Sequence, residues 1–223
     1  MRRLVREDGV AMMMALMALS LLTAFGVVML LSSSTEILIA GTFRDQRSAL
    51  YAADAIAARA ADELAAVADW DTVLNGLVTS TLVDGPPTGT RRLHDGAAID
   101  LVQAVNMATC QKPTTCTVSD MNAVTAQRPW GVNNPRWRLY AYGPLASMLP
   151  ASDIESPWYV LLMVADDPTQ AADVISMRAE AFGPRSGHAV IELLAARSSG
   201  ADSDYNDGGG QAAVRILSWR EVR

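Results

Sequence analysis

The apolar positions of this chain follow three different rhythms. From Val10 to Leu31 there are 22 residues with no charge and no proline. As a helix rising about 1.5 Å per residue this stretch covers about 33 Å, enough to cross the hydrocarbon core of a bilayer. From Asp45 to Asp69 the rhythm changes. Leu50, Ala53, Ala57, Ala61, Leu64 and Ala68 recur at three- and four-residue steps, which predicts a helix with one small-residue stripe. The expected partner of that stripe is a sheet of the same protein. Arg59 and Glu63 are spaced to pair on an exposed helix face, a contact worth about 0.3–0.5 kcal/mol. Gly26 and Gly41 interrupt the pattern, and Gly41 is expected to mark a bend where the helix leaves the bilayer.

From about Thr72 the period falls to two. Asn75-Gly76 and Asp84-Gly85-Pro86-Pro87 are turn signals. Trp137, Leu139 and Ala141 alternate with polar neighbours, Trp158 to Ala165 is continuously apolar, and Ile175, Met177, Ala179 and Ala181 alternate again. After a Gly183–Gly187 loop the alternation resumes at Ala189, Ile191, Leu193 and Ala195, and later at Val214, Ile216 and Ser218. These runs predict four or five antiparallel strands, with a hairpin at the GPRSG loop. Residues 85–96 and 106–135 read as loops. The fold class is therefore α+β: a long N-terminal helix, membrane-spanning in its first half, packed on a small antiparallel sheet.

Composition narrows the function. The net charge is −6 and Lys112 is the only lysine, an acidic balance that argues against a nucleic-acid partner, because phosphate binding needs clustered Lys and Arg. Four of the five tryptophans, Trp130, Trp137, Trp158 and Trp219, lie in the C-terminal half, where they are candidates to anchor a core. Arg2, Arg3 and Arg6 precede the apolar run and the next arginine is Arg44. That asymmetry predicts a single-pass protein of the cytoplasmic membrane with its N-terminus in the cytoplasm. Outside the cytoplasm, Cys110 and Cys116 can form a disulfide closing a short loop. A free pair and a metal site are the alternatives, and His94 and His188 are distant in sequence from both cysteines.

The N-terminus itself admits a cleaved secretory signal, a plain anchor or a prepilin-type leader. A secretory signal needs an apolar core of roughly 7–15 residues and a small-x-small cleavage site, and this run is longer and lacks one. RREDG followed by VAMMMALMALSLLTAFGVVML resembles a prepilin leader: short, basic and ending in Gly9. The resemblance continues through Ser32, Ser33, Ser34, Thr35, Ala40, Gly41, Arg44, Asp45, Ala49, Ala52, Ala53, Asp54 and Ala55, which look like the N-terminal region of PilX-type minor pilins. It spans roughly residues 6–65. It implies cleavage between Gly9 and Val10 by a prepilin peptidase, and helix-mediated packing against other pilin subunits. The pattern departs at the fifth residue after the implied cut, where Met14 replaces the usual glutamate. A subunit with no neighbour above it, like the K-type minor pseudopilin, shares that absence.

This reading divides the chain into a leader, 1–9, a transmembrane half-helix, 10–31, an extracytoplasmic half-helix, 32–70, and a β-rich domain, 71–223. The implied function is that of a non-enzymatic minor pilin, priming assembly or sitting at the tip, destined for the pilus, cell surface or periplasm. A type II secretion pseudopilin and an unprocessed membrane-anchored binding module are the alternatives.

Candidate chemistry is sparse. Asp202, Asp204 and Asn206 have the alternating oxygen side chains of a calcium loop, but position twelve is Ala213 where a bidentate glutamate belongs. A solvated acidic loop is the preferred reading, and no other cofactor is expected. Ser186 and His188 lack an orienting carboxylate in sequence, and the expectation there is an ordinary turn, as it is for His94 beside Asp95. No catalytic motif is present.

Overall fold

The computed structural model describes residues 8–125, 136–148, 155–166, 173–198 and 213–222. Helix α1, Asp8–Ala66, is 59 residues long. By its internal contacts the chain divides into two compact units, Met1–Arg44 and Asp45–Arg223, and α1 contributes to both.

In the first unit α1 passes Gly26 and Gly41 without leaving the helical pattern, so Gly41 does not interrupt the helix. The hydroxyls inside the apolar stretch are satisfied locally. Ser20 donates to the Met17 carbonyl at 2.8 Å, Thr23 to Ser20 at 2.8 Å, and Ser34 and Thr35 to Leu31 at 2.8 and 2.9 Å. Back-bonding of this kind leaves the polar side chains without an unmet demand for water.

The second unit is built on a five-stranded sheet in the order β3 (Arg138–Pro144), β4 (Tyr159–Ala165), β5 (Val174–Gly183), β6 (Gly187–Ser198) and β7 (Ala213–Val222). Each strand is antiparallel to the next. All five lie at expected runs, β4 at the continuous apolar one and the others at alternating ones, and the β5–β6 hairpin falls at the GPRSG loop. Gly183 and Gly187 are needed there for space: a Cβ on Gly183 would sit 2.3 Å from the Trp158 ring, and one on Gly187 2.9 Å from it.

The C-terminal part of α1 packs on one sheet face through Ala49, Ala52, Ala53, Ile56, Ala57, Ala60 and Leu64. Alanine lets the backbones approach, and Ile56 and Leu64 fill what remains. The stripe is rotated from the expected one: Ala61 is half-buried, and Ala68 lies past the helix end and is exposed. The carbonyls around the helix end and just past it are occupied. Arg197 on β6 donates to Ala68 at 2.8 Å and to Val67 at 3.0 Å, with its guanidinium 4.9 Å from the Trp70 ring. Trp70 Nε1 donates to Leu64 at 3.0 Å. Asp69 then caps α2, Trp70–Leu74.

The opposite sheet face carries a second layer. Strands β1 (Thr90–Arg92) and β2 (Ala98–Asp100) form a small hairpin leading into α3, Leu101–Cys110. Their apolar residues pack with Trp137, Tyr142, Tyr159, Leu161 and Met163. Helix α4, Val118–Thr125, follows. The loop readings of 85–96 and 106–135 are thus corrected: β1, the end of α3 and α4 lie within them. Trp137 and Trp158 are buried as core anchors, whereas Trp219 is 47% exposed; Trp130 lies outside the described residues.

Candidate functional site

Two features of the described residues stand apart from ordinary packing. The first is the apolar stretch of α1. Val10, Met12, Met13, Met14, Leu16 and the large apolar residues that follow, as far as Phe43, are all exposed. This part of α1 is long and apolar enough to cross a membrane. Gly9 and Val10, the expected processing residues, are both helical. Residues 1–7, with Arg2, Arg3 and Arg6, lie outside the described residues, as do Asp202, Asp204 and Asn206.

The second is a charged cleft between α3 and the sheet. Two adjoining cavities of about 390 and 380 Å³ share Met107 and Arg178 in their walls. A chain of alternating charges runs across the floor. His188 Nε2 lies 3.2 Å from Glu180 Oε2, Arg178 donates to Glu180 at 2.6 Å and to Glu192 at 2.7 Å, and Arg220 donates to Glu192 at 3.0 Å. The His188 ring also stacks on Phe182 with centroids 4.5 Å apart. Burial pushes the Glu180 carboxyl up, but His188 and Arg178 outweigh it and hold it below its ordinary 4.5. Burial likewise raises Glu192, and Arg220 with Arg178 brings it below 4.5. Each carboxylate is thus ionised and committed to cations, which suits a structural strut rather than a proton-transfer site. The sequence pattern hid this cluster, because Ser176, Arg178 and Glu180 occupy the polar phase of β5, while Ser176 and Glu180 are buried.

His188 does have a carboxylate partner, contrary to expectation, but among the described residues no hydrogen bond joins it to Ser186. Ser186 sits in the tight turn at φ 60°, beside Arg185 at φ 55°. Arg185 is tied to Asp45 near the start of the packed part of α1. His94 and Asp95 lie at the β1–β2 turn, where Asp95 accepts from the Ala97 amide at 3.0 Å. No group of three or more His, Cys, Asp or Glu among the described residues is arranged to hold a metal ion.

Cys110 and Cys116 form a disulfide with an S–S distance of 2.01 Å. It joins the last residue of α3 to the segment leading into α4. Next to it, Lys112 pairs with Asp120. The hydrogen bonds from Lys112 and Thr117 bring the Asp120 carboxyl down to about 2. Thr117 and Asp120 exchange bonds of 3.0 and 3.2 Å, a capping box that starts α4.

A last polar cluster ties α1 to the sheet edge. Arg59 donates to Glu63 at 3.1 Å and to Thr81 at 2.7 Å, and Thr81 donates to Glu63 at 2.8 Å. Burial raises the Glu63 carboxyl, and the hydroxyls of Ser80 and Thr81 with Arg59 bring it below 4.5. The expected Arg59–Glu63 pair is therefore present, but it is half-buried and shared with a third residue.

These features define an α+β protein with one N-terminal helix suited to a membrane and a disulfide-clipped second layer. No family model, curated protein or solved structure matches the chain.

Proposed function

We propose that the chain is a non-enzymatic minor pilin of a type IV pilus, acting in assembly or at the filament tip, with Val10 as its first mature residue. One observation supports this over a plain anchor: the bare apolar surface of α1 is longer than a bilayer. Val10–Leu31 alone accounts for about 33 Å, against a hydrocarbon core of about 30 Å. Ile37, Leu38 and Ile39, lying beyond Glu36, are still 69%, 71% and 64% exposed. A bilayer that covers Val10–Leu31 leaves these three in water, and tilt accommodates only part of the excess. Helices of neighbouring subunits would cover them, as filament assembly requires. The leader resemblance at Gly9 and the small-residue sequence that follows point the same way.

A pseudopilin of a type II secretion system would use the same helix in the same manner. A binding module anchored in the membrane and never processed is the reading from a different class. The test is the intact mass and N-terminal sequence of the full chain, expressed with and without a prepilin peptidase. Loss of residues 1–9 with an N-methylated Val10, only when the peptidase is present, is the expected result. An intact Met1 terminus in both cases would overturn the proposal in favour of the anchored module.

A further inference from the structure

The charged cleft has two ends of unlike character. At the end where α3 begins, the cavity of about 380 Å³ is bounded by residues of β2, α3, β5 and β6. Ile99, Ala104, Met107 and Phe182 give it apolar walls. Met107 keeps 45% of its surface exposed although α3 packs on the sheet. Apolar walls with a few polar groups between them are the usual make-up of a small-molecule site.

The polar groups of this cavity are unequally spent. Glu180 accepts on both oxygens, from Arg178 at 2.6 Å and from His188 at 3.2 Å. Arg178 is divided between Glu180 and Glu192, so it offers an incoming anion no uncompensated charge. Asp100 differs. Its Oδ1 accepts from the Gln103 amide at 2.8 Å as the cap of α3, and among the described residues no hydrogen bond or ion pair reaches its Oδ2. His188 Nε2 faces the ionised Glu180 and carries its proton there, which leaves Nδ1 of the neutral ring as an acceptor with no described partner. One face of that ring rests on Phe182, and the side chain is still 43% exposed. With the ring neutral, Asp100 and Glu180 stand against Arg178, an excess of one negative charge in the wall.

Apolar sides, surplus acceptors and a net negative charge are complementary to a donor-rich cation. We propose that this cavity binds a protonated primary amine on an apolar stem. Asp100 is the counter-ion, His188 Nδ1 is a further acceptor, and Met107 and Phe182 hold the stem. A free amine and the lysine side chain of a partner polypeptide share this chemistry. The inference rests only on the second unit and is independent of the pilin reading.

The test follows the methyl resonance of Met107, assigned with Met107→Leu, in the full-length protein in detergent micelles with isotope-labelled methionine methyls. The protein is titrated with n-butylammonium, n-butanol and n-butyrate, which share a stem and differ in the head group. Butylammonium should shift the resonance saturably. Butanol reports only burial of the stem and uptake by the micelle. It should bind about tenfold more weakly, as expected for the loss of one charge-assisted hydrogen bond, and butyrate more weakly still. Asp100→Asn keeps the cap of α3, because asparagine caps as well as aspartate. It should remove the preference for butylammonium over butanol with the unfolding temperature unchanged. Nα-acetyl-lysine methylamide binding as tightly as butylammonium would assign the site to a partner's lysine, and weaker binding would assign it to a free amine. A Met107 resonance unmoved by butylammonium at tens of millimolar, butanol or butyrate binding as tightly, or a preference intact in Asp100→Asn would each overturn the proposal.

Discussion

α1 keeps one backbone conformation from Asp8 to Ala66 while its two stretches face opposite surroundings. Between Val10 and Phe43 the exposed side chains are large: Met, Leu, Val, Ile and Phe. Between Ala49 and Leu64 the buried ones are mostly Ala, with Ile56 and Leu64 as the large exceptions. Alanine, leucine and methionine are all strong helix formers, so propensity does not separate the stretches. Side-chain size and charge do. Glu36 is the only charge from Val10 to Phe43, whereas the later stretch carries Asp54, Arg59, Asp62 and Glu63 away from its sheet-facing stripe. Bulky residues suit a deformable environment such as a bilayer, and alanines meet a sheet of fixed shape that demands close approach.

The largest expected separation comes from Ile56→Asp. Ile56 is fully buried in the α1–sheet core, and a carboxylate there has no cation to pair with. Mutations of this class lie in the tail beyond about 4 kcal/mol, so the second unit should fail to fold cooperatively. Membrane retention should persist, because residues 10–31 are untouched. Thermal unfolding by tryptophan fluorescence, beside a flotation assay, reads both. A cooperative transition at the wild-type temperature would mean that α1 is not an integral part of the core. Leu21→Arg is the converse. An arginine at the centre of a span costs about 2.5–3.5 kcal/mol of insertion. The insertion equilibrium constant should fall by about a hundredfold with the unfolding temperature unchanged, and an insertion equilibrium that did not weaken would show that this stretch is not what holds the chain to the bilayer.

Cys110→Ser with Cys116→Ser acts on the second unit alone and more gently. Chain entropy assigns a loop this short about 2 kcal/mol. The unfolding midpoint in urea should drop accordingly, while flotation stays constant. An unchanged midpoint would mean that the packing of α3 on Leu161 and Met163 already fixes that layer.

The same contrast explains what was legible in the sequence. Strand positions could be read wherever one sheet face was apolar: Ile175, Met177, Ala179 and Ala181 all lie in the α1-side core. The other face could not be read, because its polar phase is partly buried through mutual ion pairing, and Arg178 with Glu180 looks like any solvated pair. The second layer left fainter marks. Asp100 accepts from the Gln103 amide at 2.8 Å to start α3, and Thr117-x-x-Asp120 starts α4; both are short-range capping signals visible in sequence. They were outweighed by the Pro, Thr and Asn content around them.

The smallest perturbation separates the two stretches by pH. No residue from Val10 to Leu31 titrates, so flotation should not change between pH 7 and pH 3. The second unit should respond. Glu63, Glu180 and Glu192 have carboxyls held below 4.5 in the fold. A carboxyl lowered in the folded state contributes stability that is complete above its unfolded value. That contribution is lost as pH falls through 4.5 toward the folded value. The alkaline limb has the opposite sign. Burial and the neighbouring Glu63 raise the Tyr140 hydroxyl from 10.0 to about 12. Its contribution is complete below pH 10 and is lost as pH rises toward 12. Unfolding temperature should therefore be flat between about pH 5 and 9 and fall on both sides. Replacing Glu180 and Glu192 together with Gln should lower the plateau, because Arg178 loses its partners, and flatten the acid limb. If the acid limb kept its full slope in that variant, the charge chain under α3 would not be its source, and Glu63, which anchors α1 to the sheet edge, would be the remaining origin among these three carboxyls.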